Sequence, residues 1–301
     1  MKKLNHLRWT SRRADAALLS VAVVWGSGFI ATERALLSGL MPEVIMTVRF
    51  WIAVLILLPF QGRKLRRASR RALGAGIGAG ALLCAAFFAQ IYGQAATTIS
   101  NSAFLTAANV VMVPFILRLF TREKPAVKYY PLALGTLAGA ALLTLNAETG
   151  LTLRAGDGIV LLSALLFAAH IAFLGTAARE QDAGFMTLMQ MLTCALLSTA
   201  ALLAKNGAFP AALPGQDYLP VVYLALFSTC LCFFAQTAAQ QHTSAAKAAI
   251  LLSCEGLFGA LFSVLLGYEP YTWRMAAGGA LIILCAMLTQ VDFLWGSPGT
   301  R

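Results

Sequence analysis

The sequence FFAQ stands at positions 87–90 and again at positions 233–236, and the residues around it recur with the same spacing. Shifted by 146 positions, residues 84–123 align with residues 230–269 without a gap, and eleven of the forty pairs are identical. The identical pairs outside FFAQ are Cys84 and Cys230, Gln94 and Gln240, Thr97 and Thr243, Ala103 and Ala249, Leu105 and Leu251, Leu119 and Leu265, and Glu123 and Glu269. Because the offset is close to half of the 301-residue chain, we infer that one ancestral unit was duplicated.

The composition is that of a membrane protein. Hydrophobic residues make up 59% of the chain, charged residues only 12%, and the mean hydropathy is +0.75, whereas soluble domains carry roughly 25% charged residues. Apolar runs of about 20 residues, long enough to span ~30 Å of hydrocarbon as a helix, recur along the whole length. Backbone groups in lipid must be hydrogen-bonded internally, and these runs are too long for barrel strands, so we predict an all-helical membrane protein.

We predict ten transmembrane helices joined by short connections, five in a first repeat (residues 1–147) and five in a second (residues 148–301). Because five is an odd number, the second repeat must enter the membrane from the opposite face. Inverted repeats of this kind are characteristic of secondary transporters, which bind substrate near the membrane midplane. The ten spans are residues 15–37, 42–60, 72–95, 101–120, 128–146, 156–178, 184–204, 216–240, 245–267 and 271–293.

Positive charge is distributed unequally between the two sides of the predicted helices. Eighteen Lys and Arg residues fall on the side of the N-terminal tail, and four fall on the other side. Since positive charge marks the cytoplasmic side, we expect both termini to be cytoplasmic. The net charge of +11 does not indicate a nucleic-acid partner, because most basic residues lie between apolar runs, where they orient helices.

Matched glutamines mark two spans as walls of a central cavity. Gln90 and Gln94 in span 3 correspond to Gln236 and Gln240 in span 8, and each pair lies one turn apart on one helix face. An intramembrane polar residue is costly and is a functional hypothesis by default. The repeat strengthens that hypothesis, because corresponding residues occupy equivalent places in the two halves.

Polar stripes in spans 4 and 9 match in the same way. Eight residues of helix rise ~12 Å, which puts the last residue of each stripe near the middle of the bilayer. The stripes are Asn101, Leu105 and Asn109 in span 4, and Lys247, Leu251 and Glu255 in span 9.

Four ionisable residues in the spans have alternative interpretations. Glu255 could bind a substrate ammonium group or carry a proton; the alternative is a structural carboxylate bonded to neighbouring Ser or backbone groups. His170 suits proton coupling, with a packed neutral histidine as the alternative. We expect Arg49 to pair with a carboxylate or a helix end rather than with substrate, and Lys247 to extend towards the interface.

The remaining candidates are an aromatic-rich group in spans 1 and 3, the glycine-rich stretches and the cysteines. Trp25, Ser27, Phe29 and Tyr92 could line an aromatic pocket, with lipid or core packing as the alternative. We expect the glycine-rich stretches to pack within one molecule, which leaves monomer and homodimer open. The cysteines lie in apolar runs without metal-ligand neighbours and are interpreted as packing residues.

No enzyme motif occurs: there is no G-x-S-x-G, P-loop or H-E-x-x-H sequence. We therefore predict no catalytic activity, no cofactor and no metal site. A non-transporting anchor or a lipid-modifying enzyme is disfavoured, because catalytic motifs and an extramembrane domain are both missing.

Several motifs are shared with a known family. WGSGF at positions 25–29 matches a W-G-x-x-F signature, Arg49-Phe50 matches an R-F pair, and NSAFLT at positions 101–106 matches a common span-4 pattern. Each repeat ends in a glutamate close to a proline. Together with ten spans and an inverted repeat, these motifs resemble the drug/metabolite transporter superfamily, and within it the EamA-like family, over nearly the whole chain. The repeat ends are Glu123 with Pro125 and Glu269 with Pro270, and the span-4 pattern continues to Asn109 and Pro114.

The resemblance implies ten helices packed as two inverted five-helix repeats, with a cavity formed largely by spans 1, 3, 4, 6, 8 and 9. It also implies gradient-driven export or exchange of small metabolites, amino acids being the commonest class. The chain departs from the family pattern twice. Span 6 has Phe167-Ala168-Ala169-His170 where W-G is expected, and span 9 has Glu255-Gly256 where Glu-Pro is common, so a kink in span 9 does not follow from the sequence.

We therefore predict a bacterial inner-membrane transporter that moves amino acids or similar amphipathic metabolites by alternating access. Its partners would be a small-molecule substrate and the lipid bilayer, with Glu255 and His170 as candidates for proton coupling. Uptake of a nucleobase or vitamin and flipping of a lipid or polyisoprenoid are the alternatives. The predicted substrate-binding residues are Trp25, Tyr92, Asn109, His170, Gln236 and Glu255.

Overall fold

The computed structural model describes residues 10–97, 99–120, 125–144, 154–176, 179–206, 217–267 and 270–289, and every regular element in these ranges is helical. The first half contains α1 (Ser11–Leu37), α2 (Pro42–Leu65), α3 (Arg70–Gln94), α4 (Ile99–Ala107), α5 (Asn109–Phe120) and α6 (Tyr129–Thr144). The second half contains α7 (Ala155–Leu174), α8 (Ala183–Asn206), α9 (Leu219–Tyr223), a π-helix (Leu224–Leu231), α10 (Cys232–Gln240), α11 (Ala245–Leu252), α12 (Glu255–Leu265) and α13 (Trp273–Leu288).

Hydroxyl side chains cap several of these helices. The side chains of Thr10, Ser69, Ser244 and Thr272 each accept a hydrogen bond from the backbone N–H three residues later, at the starts of α1, α3, α11 and α13. An N-cap of this kind satisfies one of the amide groups that a helix start leaves unbonded. α2 instead begins with Pro42, which has no N–H to satisfy.

The helices form a membrane protein, as the composition predicted. Eight helical segments of the described chain are long and apolar enough to cross a membrane, and α13 is a shorter apolar helix. Large apolar side chains such as Phe60 and Leu119 are about four-fifths exposed on the outside of the bundle, where lipid would cover them. α6 and α13 have 16 residues each, about 24 Å of helix against a ~30 Å hydrocarbon layer.

The two halves have the same helix order and pack reciprocally. Each helix of the first half has a counterpart close to 146 residues later, with α9, the π-helix and α10 together matching α3. Each contact between the halves recurs between the counterparts of the two helices. α1 packs against α12, and their counterparts α7 and α5 also pack together; α3 packs against α7, and their counterparts α10 and α1 do the same. α2 and α6 pack against their own counterparts, α8 and α13. Such reciprocity is the pattern of a pseudo-two-fold arrangement.

Both halves contain a broken helix at the same position. The chain leaves the α-helical path at Ala108, between α4 and α5, and at Ser253 and Cys254, between α11 and α12. The Cys254 N–H bonds the carbonyl of Leu251 at 3.3 Å, three residues back, and the Ser253 hydroxyl donates to the Ala249 carbonyl at 2.8 Å. Serine bonds of this kind bend helices. The break in span 9 therefore exists without the proline that the family pattern would supply.

Glycines allow close contacts between helices of the same chain. A Cβ added at Gly76 or Gly80 would lie 2.5 Å from Met189 Cβ or 2.6 Å from Thr193 Cβ, both on α8. At Gly139 an added Cβ would lie 2.8 Å from the Gly278 carbonyl oxygen on α13. These glycines are thus used for packing within the molecule, as expected.

Substituting Gly26 with alanine is expected to separate α1 from α12. The added Cβ would lie 2.6 Å from the backbone nitrogen of Gly259, and backbone cannot move aside as a side chain can. We expect a loss of about 1–3 kcal/mol of stability, seen as a lower melting temperature in detergent. Gly74→Ala is the matched control, since nothing lies within 4 Å of its added Cβ. Equal melting temperatures for the two variants would contradict this close contact.

Candidate functional site

A cavity lies between the two halves. All six spans implied by the family resemblance contribute to its wall, and α2 adds one residue. Its lining residues are Trp25, Gly28, Phe29, Thr32, Arg49, Phe87, Gln90, Gln94, Thr106, Asn109, Phe167, His170, Ile171, Leu224, Ser228, Phe233, Gln236, Leu252 and Glu255.

The two helix breaks place Asn109 and Glu255 in this wall. Each is the first residue of a half-helix, α5 or α12, and each is more than nine-tenths buried. The Oδ1 atom of Asn109 has no hydrogen-bond partner in the described structure. No hydrogen bond or ion pair to the Glu255 carboxyl occurs within the described residues. Each half-helix therefore presents one buried polar group to the cavity. These two groups can still accept hydrogen bonds from a bound molecule.

One glutamine of each predicted pair is also open to the cavity. Gln90 makes a long bond of 3.4 Å to the Thr106 hydroxyl, and Gln236 Oε1 is buried without a partner in the described structure. Gln94 lines the cavity but donates to the Phe29 carbonyl at 3.2 Å. Gln240 donates to the Ile171 carbonyl at 3.0 Å and does not line the cavity. Gln94 and Gln240 thus join helices together, whereas Gln90 and Gln236 have polar atoms available to the cavity.

Aromatic rings form an apolar part of the wall. Phe87 and Phe233, the first residues of the two FFAQ copies, pack edge to face with ring centroids 5.7 Å apart. Trp25 packs on Phe233 at 5.2 Å and Phe167 packs on Phe87 at 5.3 Å. Contacts at these distances are favourable aromatic pairs. The cavity therefore combines an apolar surface with separate polar groups, which suits an amphipathic molecule.

The π-helix provides polar atoms to residues of other helices. The indole N–H of Trp25 donates to the Ser228 carbonyl at 2.9 Å. The Nε–H of Arg49 donates to the Thr229 hydroxyl at 2.8 Å. π-Helical segments are rare and are frequently found at functional sites. Here the segment positions two of the lining side chains.

Arg49 is a buried cation in the cavity wall, where the sequence led us to expect a carboxylate or a helix end as its partner. Its guanidinium lies 4.4 Å from the centroid of the Phe87 ring, and Arg49 is only 3% exposed. No carboxylate of the described residues forms an ion pair with it. Its Nη2 atom is buried with no hydrogen-bond partner in the described structure.

His170 lines the cavity through a side chain that is already hydrogen-bonded. Its Nε2 atom lies 2.7 Å from Gln190 Oε1, and the Gln190 amide donates to Met186 O and to the Thr237 hydroxyl, both at 3.2 Å. Because the Gln190 oxygen can only accept, Nε2 carries the proton in this network. The arrangement fits the packed histidine that the sequence left as an alternative.

Tyr92 and Ser27 lie outside this cavity. The Tyr92 hydroxyl donates to the Glu43 carboxylate, and Lys205 also binds that carboxylate at 2.7 Å, so these three side chains connect α2, α3 and α8. Two residues along a helix rotate the side chain by about 200°, which turns Tyr92 away from the face that carries Gln90. The Ser27 hydroxyl bonds to the Val24 carbonyl and to the Tyr223 hydroxyl. The other five predicted binding residues line the cavity.

The end of the bundle that contains the start of α1 is closed. Lys247 does not extend to the interface; its Nζ atom lies 2.9 Å from Asp15 Oδ2, and both side chains are about nine-tenths buried. On α1 the lining residues begin at Trp25, and on α11 they begin at Leu252. Leu18 of α1 and Ala248 of α11, which lie between the cavity and this ion pair, are fully buried. The Asp15–Lys247 pair thus holds the two halves together between the cavity and this end of the bundle.

A helical membrane bundle whose central cavity is lined by polar groups at two broken helices is the arrangement of a membrane transporter. The EamA-like transporter family model matches the chain twice, over residues 12–145 and 154–290. The chain therefore belongs to the EamA-like transporter family, which confirms the resemblance drawn from its motifs.

Two other comparisons agree with this assignment. An uncharacterized transporter of Archaeoglobus fulgidus is 30% identical over 279 residues, which are 92% of this chain and 86% of that protein. A protein of known crystal structure has the same fold, with a TM-score of 0.75, 16% identity, and coverage of 95% of this chain and 98% of that one. The family and the relative indicate membrane transport of small molecules rather than an enzyme.

Proposed function

We propose that this transporter moves amino acids, or amphipathic metabolites like them, across a bacterial inner membrane by alternating access. Both termini are cytoplasmic, and ten helices cross the membrane as two inverted repeats, residues 1–147 and 148–301. The reciprocal helix contacts and the two family matches, one in each half, support this topology. Transport is export or exchange, driven by gradients.

One observation carries the substrate class: the Glu255 carboxyl faces the cavity without a described protein partner. A buried carboxylate needs a compensating positive charge, and a substrate ammonium group supplies one. Asn109 and Gln236 offer further unbonded polar atoms, and Trp25 with the phenylalanine rings offers an apolar surface. These groups suit a small molecule with an amine at one end and an apolar portion beside it.

Counterflow in proteoliposomes tests this function without knowledge of the coupling ion. Vesicles that contain the purified protein are loaded with one unlabelled L-amino acid, and entry of the same labelled compound is followed. We expect saturable uptake above that of protein-free vesicles for at least one member of the twenty-amino-acid panel. Exchange of nucleobases, vitamins or lipids in place of every amino acid would overturn the proposal.

A further inference from the structure

Arg49 is the one lining residue whose positive charge the proposed function has not used. A guanidinium remains charged at any physiological pH and has five N–H donors. In the described structure, its hydrogen bonding is limited to the Nε bond to Thr229, while Nη2 is buried and unbonded. Burying a cation without a counter-ion is strongly unfavourable. The rings of Phe87 and Phe50 compensate it only partly, through cation–π contacts.

We propose that Arg49 is the binding site for the carboxylate of the substrate, so that the transported molecule is a zwitterion. This inference rests on the proposed function and deepens it: Glu255 receives the ammonium group and Arg49 receives the carboxylate. The planar guanidinium fork matches the geometry of a carboxylate. Because both residues line the same cavity, one bound molecule can compensate both buried charges.

The charge balance of the wall favours a zwitterion over a purely anionic substrate. A phosphate dianion could also bind Arg49, but it would bring two negative charges into a cavity that already contains the Glu255 carboxyl. A simple amine would satisfy Glu255 and leave the guanidinium uncompensated. An amino acid has one charge of each sign, and its side chain can lie against Trp25 and Phe233.

The test compares amino acids with their carboxamides, which keep the amine and the side chain but lack the negative charge. Each of the twenty L-amino acids and its carboxamide is used in counterflow with the wild-type protein. We expect the acid to exchange at least tenfold faster than its amide. Equal exchange of acid and amide would overturn the role of Arg49 while leaving the amino-acid function intact. Failure of the whole amino-acid panel would overturn the function, and this inference with it.

Variants of Arg49 then show whether this side chain causes the preference for the amino acid over its carboxamide. Arg49→Gln is expected to reduce the acid-to-amide ratio to about one while retaining exchange of the amide, which also shows that the variant is folded. Arg49→Lys retains a cation and should retain much of the preference. Arg63→Gln removes the same charge from the exposed last turn of the same helix and should leave the ratio unchanged. An Arg49→Gln protein that still prefers the acid would contradict the proposal, because a purely structural arginine would not change this ratio.

Discussion

Counterflow of the preferred amino acid should fall by about ten- to a hundred-fold when Glu255 is replaced with glutamine, which corresponds to the roughly 1.5–3 kcal/mol of a hydrogen bond to a charged group. Glutamine has nearly the same shape and keeps a hydrogen-bonding oxygen, so the substitution removes the charge and little else. The effect should appear as a higher half-saturation concentration, because the carboxyl acts on the bound ammonium group. Glu255→Asp keeps the charge and should retain part of the exchange.

Stability separates this binding role from a structural one. Because the Glu255 carboxyl has no described partner to lose, Glu255→Gln should unfold at the same temperature as the wild type or higher. If the carboxylate were structural, Glu255→Gln would instead unfold at a lower temperature than the wild type. Glu180→Gln, which removes a negative charge from an exposed loop position, is the control and should change neither property. Wild-type half-saturation in Glu255→Gln would rule out the ammonium site.

Much of the architecture follows from local properties of the sequence. Hydropathy locates the helices, whose ends lie within a few residues of the predicted spans apart from extensions such as that of α2 to Leu65. The internal repeat indicated in advance that Asn109 and Glu255 occupy equivalent places, and both begin a half-helix. Comparison of the two repeats could also have identified Phe87 and Phe233, since they occupy corresponding positions and pack together in the cavity wall.

Features that depend on tertiary contacts could not be obtained in this way. Arg49 was expected to pair with a carboxylate or a helix end, but its hydrogen-bond acceptor is Thr229, which is 180 residues away and lies in the π-helix. Tyr92 lies close to the polar face of α3 in sequence but points away from it, towards Glu43 and Lys205 of other helices. Predicting either requires knowing which helices are neighbours, which periodicity alone does not show.

Replacing Lys247 with methionine is expected to destabilise the protein by about 3 kcal/mol or more, the effect of breaking a buried ion pair by removing one partner. The loss arises at Asp15, whose Oδ2 atom binds Lys247 at 2.9 Å and whose Oδ1 atom is buried with no other partner in the described structure. Methionine keeps most of the length and apolar surface of the lysine stem. The unfolding free energy in mixed micelles measures the difference.

A double substitution and a second ion pair serve as controls. Asp15→Asn combined with Lys247→Met removes both charges and should recover much of the lost stability, because no unpaired charge remains buried. The Lys64–Asp182 pair has a similar N–O distance of 2.8 Å, but its side chains are about half exposed. Lys64→Met should therefore cost at most about 1 kcal/mol. Similar losses for Lys247→Met and Lys64→Met would show that burial does not strengthen the Asp15–Lys247 pair.

The same ion pair bears on the transport cycle, because α1 and α11 belong to different halves of the molecule. The proposed alternating access requires the closed end of the cavity to open, and at this end the halves are joined by Asp15 and Lys247. Removing both charges should therefore favour the state open at this end. A cysteine-reactive probe at Ala248, buried in the structure described here, should label the Asp15→Asn/Lys247→Met variant faster than the wild type once Ala248→Cys is introduced in both. Equal labelling rates would mean that apolar packing, rather than the ion pair, keeps this end closed.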